Sequence, residues 1–274
     1  MKNKFSLKNK NVIITGAAGL LALQHIYAVL ENDGNAFLID IDKKKLNKRY
    51  KELIKFYSKK QINIFSGDIT SEKFITNVNK KIKKLKKKIH VLINNAAVDY
   101  KLDSKHLNLI KKTQLEHFDI NIWKKDLDVG LLGSLICTKV FGAEMAKNNY
   151  GIILNIASDL SFISPDNRIY NTSDKINKIV KPVSYSVVKH GIIGLTRYTA
   201  TYWADKNVRC NAIAPGGIFN NQPKNFLNKI SKLIPLRRLS RKNEYISSIL
   251  YLISDASSYT NGTVLKVDGG RTVL

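Results

Sequence analysis

The chain has 274 residues but only two cysteines, two methionines, two tryptophans and five prolines. Two cysteines, Cys137 and Cys210, both in apolar surroundings, do not make a disulfide scaffold. They suit a reduced, cytoplasmic setting. No uninterrupted apolar run approaches the length of a membrane span. Asn11 to Thr15 (NVIIT), after a lysine-rich start, is too short for the core of a signal peptide. No membrane association is therefore expected. Acidic side chains are scarce, 21 against 46 basic ones, for a formal charge of +25. Such a charge can mark a nucleic-acid binder. Here arginine is scarce too, with 8 of the 46 basic residues, and Lys, Asn and Ile together make 98 of 274 residues. That composition fits AT-rich coding, and the lysines are dispersed without interleaved aromatics, so no nucleic-acid partner is expected. The densest run, Lys80–Lys88, lies on a helical pattern with Ile82, Leu85 and Ile89 on one face, which reads as a solvated surface. His25, His90, His106, His117 and His190 lack ligand spacing, so no metal is expected.

What is present is a globular mixture, 44% hydrophobic and 24% charged. No repeat or linker divides it, so residues 1–274 read as a single domain. Strand-like runs fall at Val12–Thr15, Ala36–Asp40, Ile62–Ser66, Ile89–Ile93, Ile152–Ala157, Val208–Ile213 and Thr263–Val267. Helical patterns fall between them, at 19–32, 43–58, 71–87, 123–147, 185–206 and 241–254. Alternation of this kind predicts an α/β fold, a doubly wound parallel sheet with helices on both faces. Ligands in such sheets bind beyond the carboxyl ends of the strands. Two segments interrupt the alternation, 98–122 and 159–184. Both follow a strand and so belong over the same edge.

The motifs follow the strands in the same way. Thr15-Gly16-Ala17-Ala18-Gly19-Leu20-Leu21-Ala22 joins the first strand to a helix. Glycines there let the backbone approach a pyrophosphate at a helix N-terminus. Asp40 ends the second strand, where a carboxylate meets the ribose hydroxyls of a dinucleotide. Tyr185 and Lys189 are four residues apart, on one face of a helix. Asn155-Ile156-Ala157-Ser158 ends the strand before them, and Asn211 to Gly217 (NAIAPGG) ends the strand after.

Together with Asp68-Ile69 after the third strand, Asn94-Asn95-Ala96-Ala97 after the fourth and the closing Val267-Asp268-Gly269-Gly270, this ordered set resembles the short-chain dehydrogenase/reductase family. The resemblance runs from Asn11 to about Gly270 and implies a Rossmann-type sheet. It also implies an oxidoreductase that interconverts a hydroxyl and a carbonyl by hydride transfer, with Ser158, Tyr185 and Lys189 as catalytic residues. Ser161 is a rival to Ser158. The implied cofactor site comprises Gly16, Gly19, Asp40, Asp68, Ile69, Asn94, Tyr185, Lys189, Pro215 and Gly216. The carboxylate of Asp40, with Asp42 beside it, repels the extra phosphate of NADP, so NAD is the expected cofactor, although Lys43–Lys45 offset part of that charge. Dimers or tetramers through the helices at 123–147 and 185–206 are implied as well. Two departures stand out. The glycine loop has the shorter TGxxGxx-Ala spacing of extended members, and Gly130 occupies the place of the asparagine that family members often carry there. Either another polar group or water then serves the proton relay, or turnover is slow; a cofactor-binding protein with little turnover is the alternative reading.

Between Ser158 and Tyr185 lie 26 residues, where the family usually has about a dozen. This insertion and its flanks (PDNRIY, KPVSYSVVKHG, ADKNVRCN) are similar to a subgroup among flagellin-modification and surface-sugar oxidoreductases. That similarity implies a phosphorylated, nucleotide-linked or acidic sugar as the small-molecule substrate. Arg168 is the insertion's only arginine and its candidate anion receptor, with Lys175, Lys178 and Lys181 adding positive charge.

Overall fold

The computed structural model describes residues 3–98, 100, 107–170 and 179–274. Among them, seven parallel strands form one sheet in the order β3-β2-β1-β4-β5-β6-β7. The strands are β1 (Asn11–Thr15), β2 (Asn35–Asp40), β3 (Ile62–Ser66), β4 (Val91–Asn94), β5 (Gly151–Ile156), β6 (Val208–Pro215) and β7 (Val264–Val267). The chain order reverses between β1 and β4, which opens a crevice beyond their carboxyl ends.

Helices cover both faces, and the period-two pattern of the strands selects what each face buries. Val12 and Ile14 of β1 point to one side, with Ile26 and Val29 of α1 (Ala22–Leu30) and Ile249 and Leu252 of α7 (Ile246–Ile253). Ile13 points to the other, with Ile75, Val78 and Ile82 of α3 (Glu72–Lys84) and Phe141 of α4 (Ile120–Lys147). These side chains are at most 2% exposed, so each contributes about 1.5–3 kcal/mol of burial. Two further helices complete the alternation, α2 (Lys43–Leu53) and α5 (Val183–Tyr202). An additional helix, α6 (Lys224–Lys232), follows β6 where no periodicity marked one.

The element boundaries differ from the sequence pattern chiefly at the glycine loop. The pattern starts a helix at 19, but α1 begins at Ala22 because residues 16–21 make the turn that follows β1. Helix α4 is long and apolar enough to span a bilayer by composition. It is instead a core helix, interrupted by π-type turns at Asp128–Leu132 and Thr138–Gly142 and packed against α5. Of the two interrupting segments, 99, 101–106 and 171–178 lie outside the described residues, and His106, Lys175 and Lys178 with them.

Candidate active site

The strand register brings the motif residues to one edge. Thr15 pairs with Ile39 beside Asp40, Asn94 with Asn155, and Pro215 with Val267. At the centre, Gly16 turns with φ +62°, and a Cβ there would stand 2.7 Å from the Cα of Ala96. Only glycine fits that close crossing. The N–H of Gly19 donates back to Gly16 O at 3.0 Å, that of Gln24 to Leu21 O at 3.0 Å, and no side chain caps the start of α1. Beneath the loop, Asn95 donates through Nδ2 to the carbonyls of Thr15 and Gly16 and pairs through Oδ1 with His25 Nε2 at 3.0 Å. Burial pushes this histidine down to about 4, so it stays neutral as a buttress of the loop. Asp40 accepts the N–H groups of Ala18 and Asp42 at 2.9 and 2.8 Å, which holds its carboxylate beside the loop. Asp42 instead caps α2 and pairs with Lys45 at 3.0 Å. The cradle therefore fits a dinucleotide: a close-approach loop for the pyrophosphate and a carboxylate fixed beside it at the end of β2.

Gly216, at the end of β6, donates its N–H to Val267 O, and its carbonyl accepts the hydroxyl of Tyr245, each at 3.0 Å. Pro215 is buried beside it. Asp68 is exposed and accepts the N–H of Thr70, while Ile69 is buried against Gly133. Asn94 is placed differently from its expected role. Its side chain is 4% exposed and runs into the sheet, donating to Thr138 Oγ1 and Asn155 Oδ1 at 3.1 and 2.8 Å. Asn155 in turn donates to Thr196 on α5. This chain ties the neighbouring strands β4 and β5 to both flanking helices and engages the Asn94 amide nitrogen inside the sheet.

Helix α5 carries Tyr185 and, one turn on, Lys189. The Lys189 ammonium lies 5.7 Å from the Tyr185 ring centroid and donates to Ile156 O at 2.7 Å, two residues before Ser158. A second ammonium, that of Lys181, lies 4.0 Å from the same ring. The residue before the tyrosine, Ser184, donates to Asp126 on α4, which also accepts the hydroxyl of Tyr100 at 2.8 Å, so α5 is pinned at this point. Ser158 and Ser161 are separated by their bonds. Ser161 accepts the N–H of Ser158 and donates to Lys189 O at 2.8 Å, which engages its hydroxyl with backbone. Ser158 donates to the carboxylate of Asp159 at 2.8 Å, an acceptor that a substrate oxygen can replace.

Burial, followed by the charge of Lys181, lowers Lys189 from 10.5 to about 8. The unfolded chain thus binds this proton more tightly than the folded one. Below about pH 8 the buried charge costs its full amount, and between about 8 and 10.5 that cost is relieved, so this group makes stability rise with pH by up to about 3 kcal/mol. Denaturant unfolding of wild type and Lys189→Met across that window should show the rise in the first and not in the second. The same flat dependence in both proteins would refute the assignment.

Gly130 lies in the π-type turn of α4, and its carbonyl accepts the Ser134 hydroxyl at 2.9 Å. A Cβ there would stand 2.4 Å from Cγ1 of Val188 on α5. Val188 thus fills the space an asparagine side chain would need. Gly130→Asn is expected to lower stability by about 1–3 kcal/mol through overpacking, without raising turnover. A more active, equally stable Gly130→Asn enzyme would contradict this.

The anion receptor expected at Arg168 is corrected by the structure. Its side chain is 89% exposed, and its Nε and Nη2 hold both carboxylate oxygens of Asp166 at 2.9 and 2.8 Å. Asp166 also accepts the N–H of Arg168, so the turn itself closes the pair. Sequence reasoning missed three residues near the site. Arg49 reaches from α2 to the carbonyls of Ala18 and Gly19, each at 3.3 Å. Asp159 and Arg271 form an ion pair of 2.7 Å with side chains 5% and 8% exposed. The only signal for Asp159 was its place beside Ser158.

Comparison with known proteins shows what the chain is similar to. Residues 16–272 match the family model described as enoyl-(acyl carrier protein) reductase. The chain is 29% identical over 274 residues to an NAD-dependent glycerol dehydrogenase of Listeria innocua, covering 98% of this chain and 96% of that one. It is 30% identical to an NADH-dependent L-xylulose reductase of Ambrosiozyma monospora, covering 95% and 94%. The fold matches that of a gluconate 5-dehydrogenase from Burkholderia cenocepacia, solved with NADP and tartrate, at a TM-score of 0.82 and 20% identity, over 99% and 98% of the two chains.

Proposed function

The chain belongs to the short-chain dehydrogenase/reductase family, as an oxidoreductase that uses a nicotinamide cofactor, and on that premise we propose that it interconverts a hydroxyl and a carbonyl on a phosphorylated, nucleotide-linked or acidic sugar, with NAD preferred. The observation that carries this reading is the convergence of Tyr185, the Lys189 ammonium and Ser158 at the carboxyl edge of β5. A nicotinamide cofactor held along Gly16, Asp40 and Lys189 would, when bound, supply or take up the hydride. In the oxidative direction Tyr185 accepts the proton of the substrate hydroxyl, and in reduction it returns that proton to the carbonyl oxygen. Lys189 holds the tyrosine's charge. Ser158 turns its hydroxyl from Asp159 to the reacting oxygen and orients it. The test is a scan of polyols, sugar acids, sugar phosphates and nucleotide sugars for nicotinamide absorbance change. Turnover confined to simple alcohols or acyl thioesters would overturn the sugar reading.

Asp40 supports the preference for NAD. Its fixed carboxylate accepts the free ribose hydroxyls and repels a phosphate, whereas Arg49 close to the loop opposes that repulsion. Asp40→Ala is expected to weaken NAD binding and reduce the NAD/NADP ratio by roughly ten- to a hundredfold, as for loss of a charge-assisted bond. Binding isotherms with both cofactors measure it. Equal affinities in the wild type would show that the surrounding cations dominate.

Gly130 favours a second reading, a cofactor-binding protein with little turnover, because the asparagine relay has no room here. Tight NADH binding without turnover on the whole panel would select it. The remaining proposals concern setting. A cytoplasmic enzyme without nucleic-acid or membrane partners suits the composition. A homodimer or homotetramer through α4 and α5 would cover Leu132 and Leu135 of the first and Val187, Tyr198 and Tyr202 of the second, all exposed large side chains.

A further inference from the structure

Arg271 follows Gly269-Gly270 in a short 3-10 turn, and it is 8% exposed. Its Nη1 donates to one oxygen of Asp159, whose other oxygen accepts the Ser158 hydroxyl and the N–H of Leu160, each at 2.8 Å. The carboxylate is thereby fully occupied; the guanidinium is not. A guanidinium has five donors in a planar fork, and the side-on edge formed by Nε and Nη2 meets a carboxylate in two parallel bonds. In Arg271 that edge has no hydrogen-bond partner among the described residues, and neither nitrogen is among the side-chain atoms sealed from solvent without one. Both donors therefore keep access to solvent, and a guanidinium anchored through Nη1 alone presents this edge, beside Asp159, to a ligand. Arg168 is the opposite case, with that same edge closed on Asp166 at the surface. Tyr170 of the insertion faces the pair: burial raises its phenol, the Arg271 charge lowers it, and the Asp159 charge raises it. Further cations flank the region. Lys181 and Lys189 stand on Tyr185 and Lys266 on Phe162 at 4.3 Å, while Asp166, already paired with Arg168, is a second carboxylate that feels the Arg271 charge.

We propose that Arg271 reads a carboxylate on the substrate through Nε and Nη2, with Asp159 fixing the guanidinium next to the reacting Ser158. This rests on the sugar reading above and narrows it to a sugar acid, with its carboxylate on Arg271 and its reacting hydroxyl on Ser158 and Tyr185.

The test is calorimetric titration of the NAD-loaded full-length protein with D-gluconate, with D-glucitol, which lacks the carboxylate, and with glucose 6-phosphate. The wild type should bind gluconate roughly ten- to a hundredfold more tightly than glucitol. Arg271→Lys keeps a cation on Asp159 but has no fork, and should lose that preference while NAD affinity stays unchanged. Arg168→Ala should keep it. If Arg271→Lys fails to fold, Arg271→Gln combined with Asp159→Asn replaces the ion pair by neutral amides and carries the same expectation. The proposal is overturned by wild type that binds gluconate no better than glucitol, by tighter binding of glucose 6-phosphate than of gluconate, or by a preference that survives loss of Arg271. Absence of NADH formation from every sugar and polyol would instead overturn the underlying reading, while the gluconate–glucitol difference still decides the role of Arg271.

Discussion

Tyr185→Phe is expected to fold, to bind NAD as the wild type does, and to lose turnover by about a hundredfold to ten-thousandfold. The substitution removes one oxygen from a half-buried ring and leaves the rest of the α5 surface intact. What disappears is the group that exchanges a proton with the substrate oxygen. Lys189 cannot take over. Its ammonium lies 5.7 Å from the ring centroid and is bonded to Ile156 O, which engages it with backbone. Ser158 cannot take over either, because a hydroxyl has no basicity near neutral pH and its proton is directed to Asp159. Steady-state kcat for the best substrate, with the NADH Kd measured in parallel, separates the two effects. Turnover within about tenfold of wild type would remove Tyr185 from the chemistry and leave only a binding role.

Arg271→Ala is expected to be the most destabilising single change near the site, by about 3–5 kcal/mol. The ion pair with Asp159 joins residues 112 positions apart, at 2.7 Å, with both side chains nearly sealed from water. Removing the arginine leaves the Asp159 side chain, 5% exposed, with only the Ser158 hydroxyl and the Leu160 N–H to satisfy it. For a chain of this size that corresponds to a fall of roughly 6–20 °C in Tm. Asp159→Asn added to Arg271→Ala should recover much of the loss, since the uncompensated charge is the main cost rather than the missing contact. A Tm within about 2 °C of wild type for Arg271→Ala would show that water reaches Asp159 and that the pair behaves as a surface bridge. The expected coupling places a residue near the end of the sheet in control of the catalytic serine's partner.

Local chemistry determined much of this molecule from sequence alone. Short continuous apolar runs, as in Val12-Ile13-Ile14, place successive side chains on opposite faces of a strand, so the strands and their two-sided burial were legible. The placement of Gly16, Asp40, Ser158, Tyr185 and Lys189 at one edge was legible because each follows a strand end or shares a helix face, and a parallel sheet gathers strand ends there. Partnership was different. Arg168 looked like an anion receptor by residue type, yet a carboxylate two positions away closes its fork within one turn. Arg271 had no distinguishing pattern, because its partner comes from β5's end and meets it only when β6 and β7 have been laid alongside. Asn94 sits in a motif that points to the cofactor, but the register opposite Asn155 draws its side chain into the sheet. Gly130 could be seen to lack a side chain, but not that Val188 occupies the space. Propensity, periodicity and backbone strain act over a few residues and can be read along the chain. Which buried charge meets which, and which side chain fills a gap, depends on close packing between distant segments, and that only the tertiary structure decided.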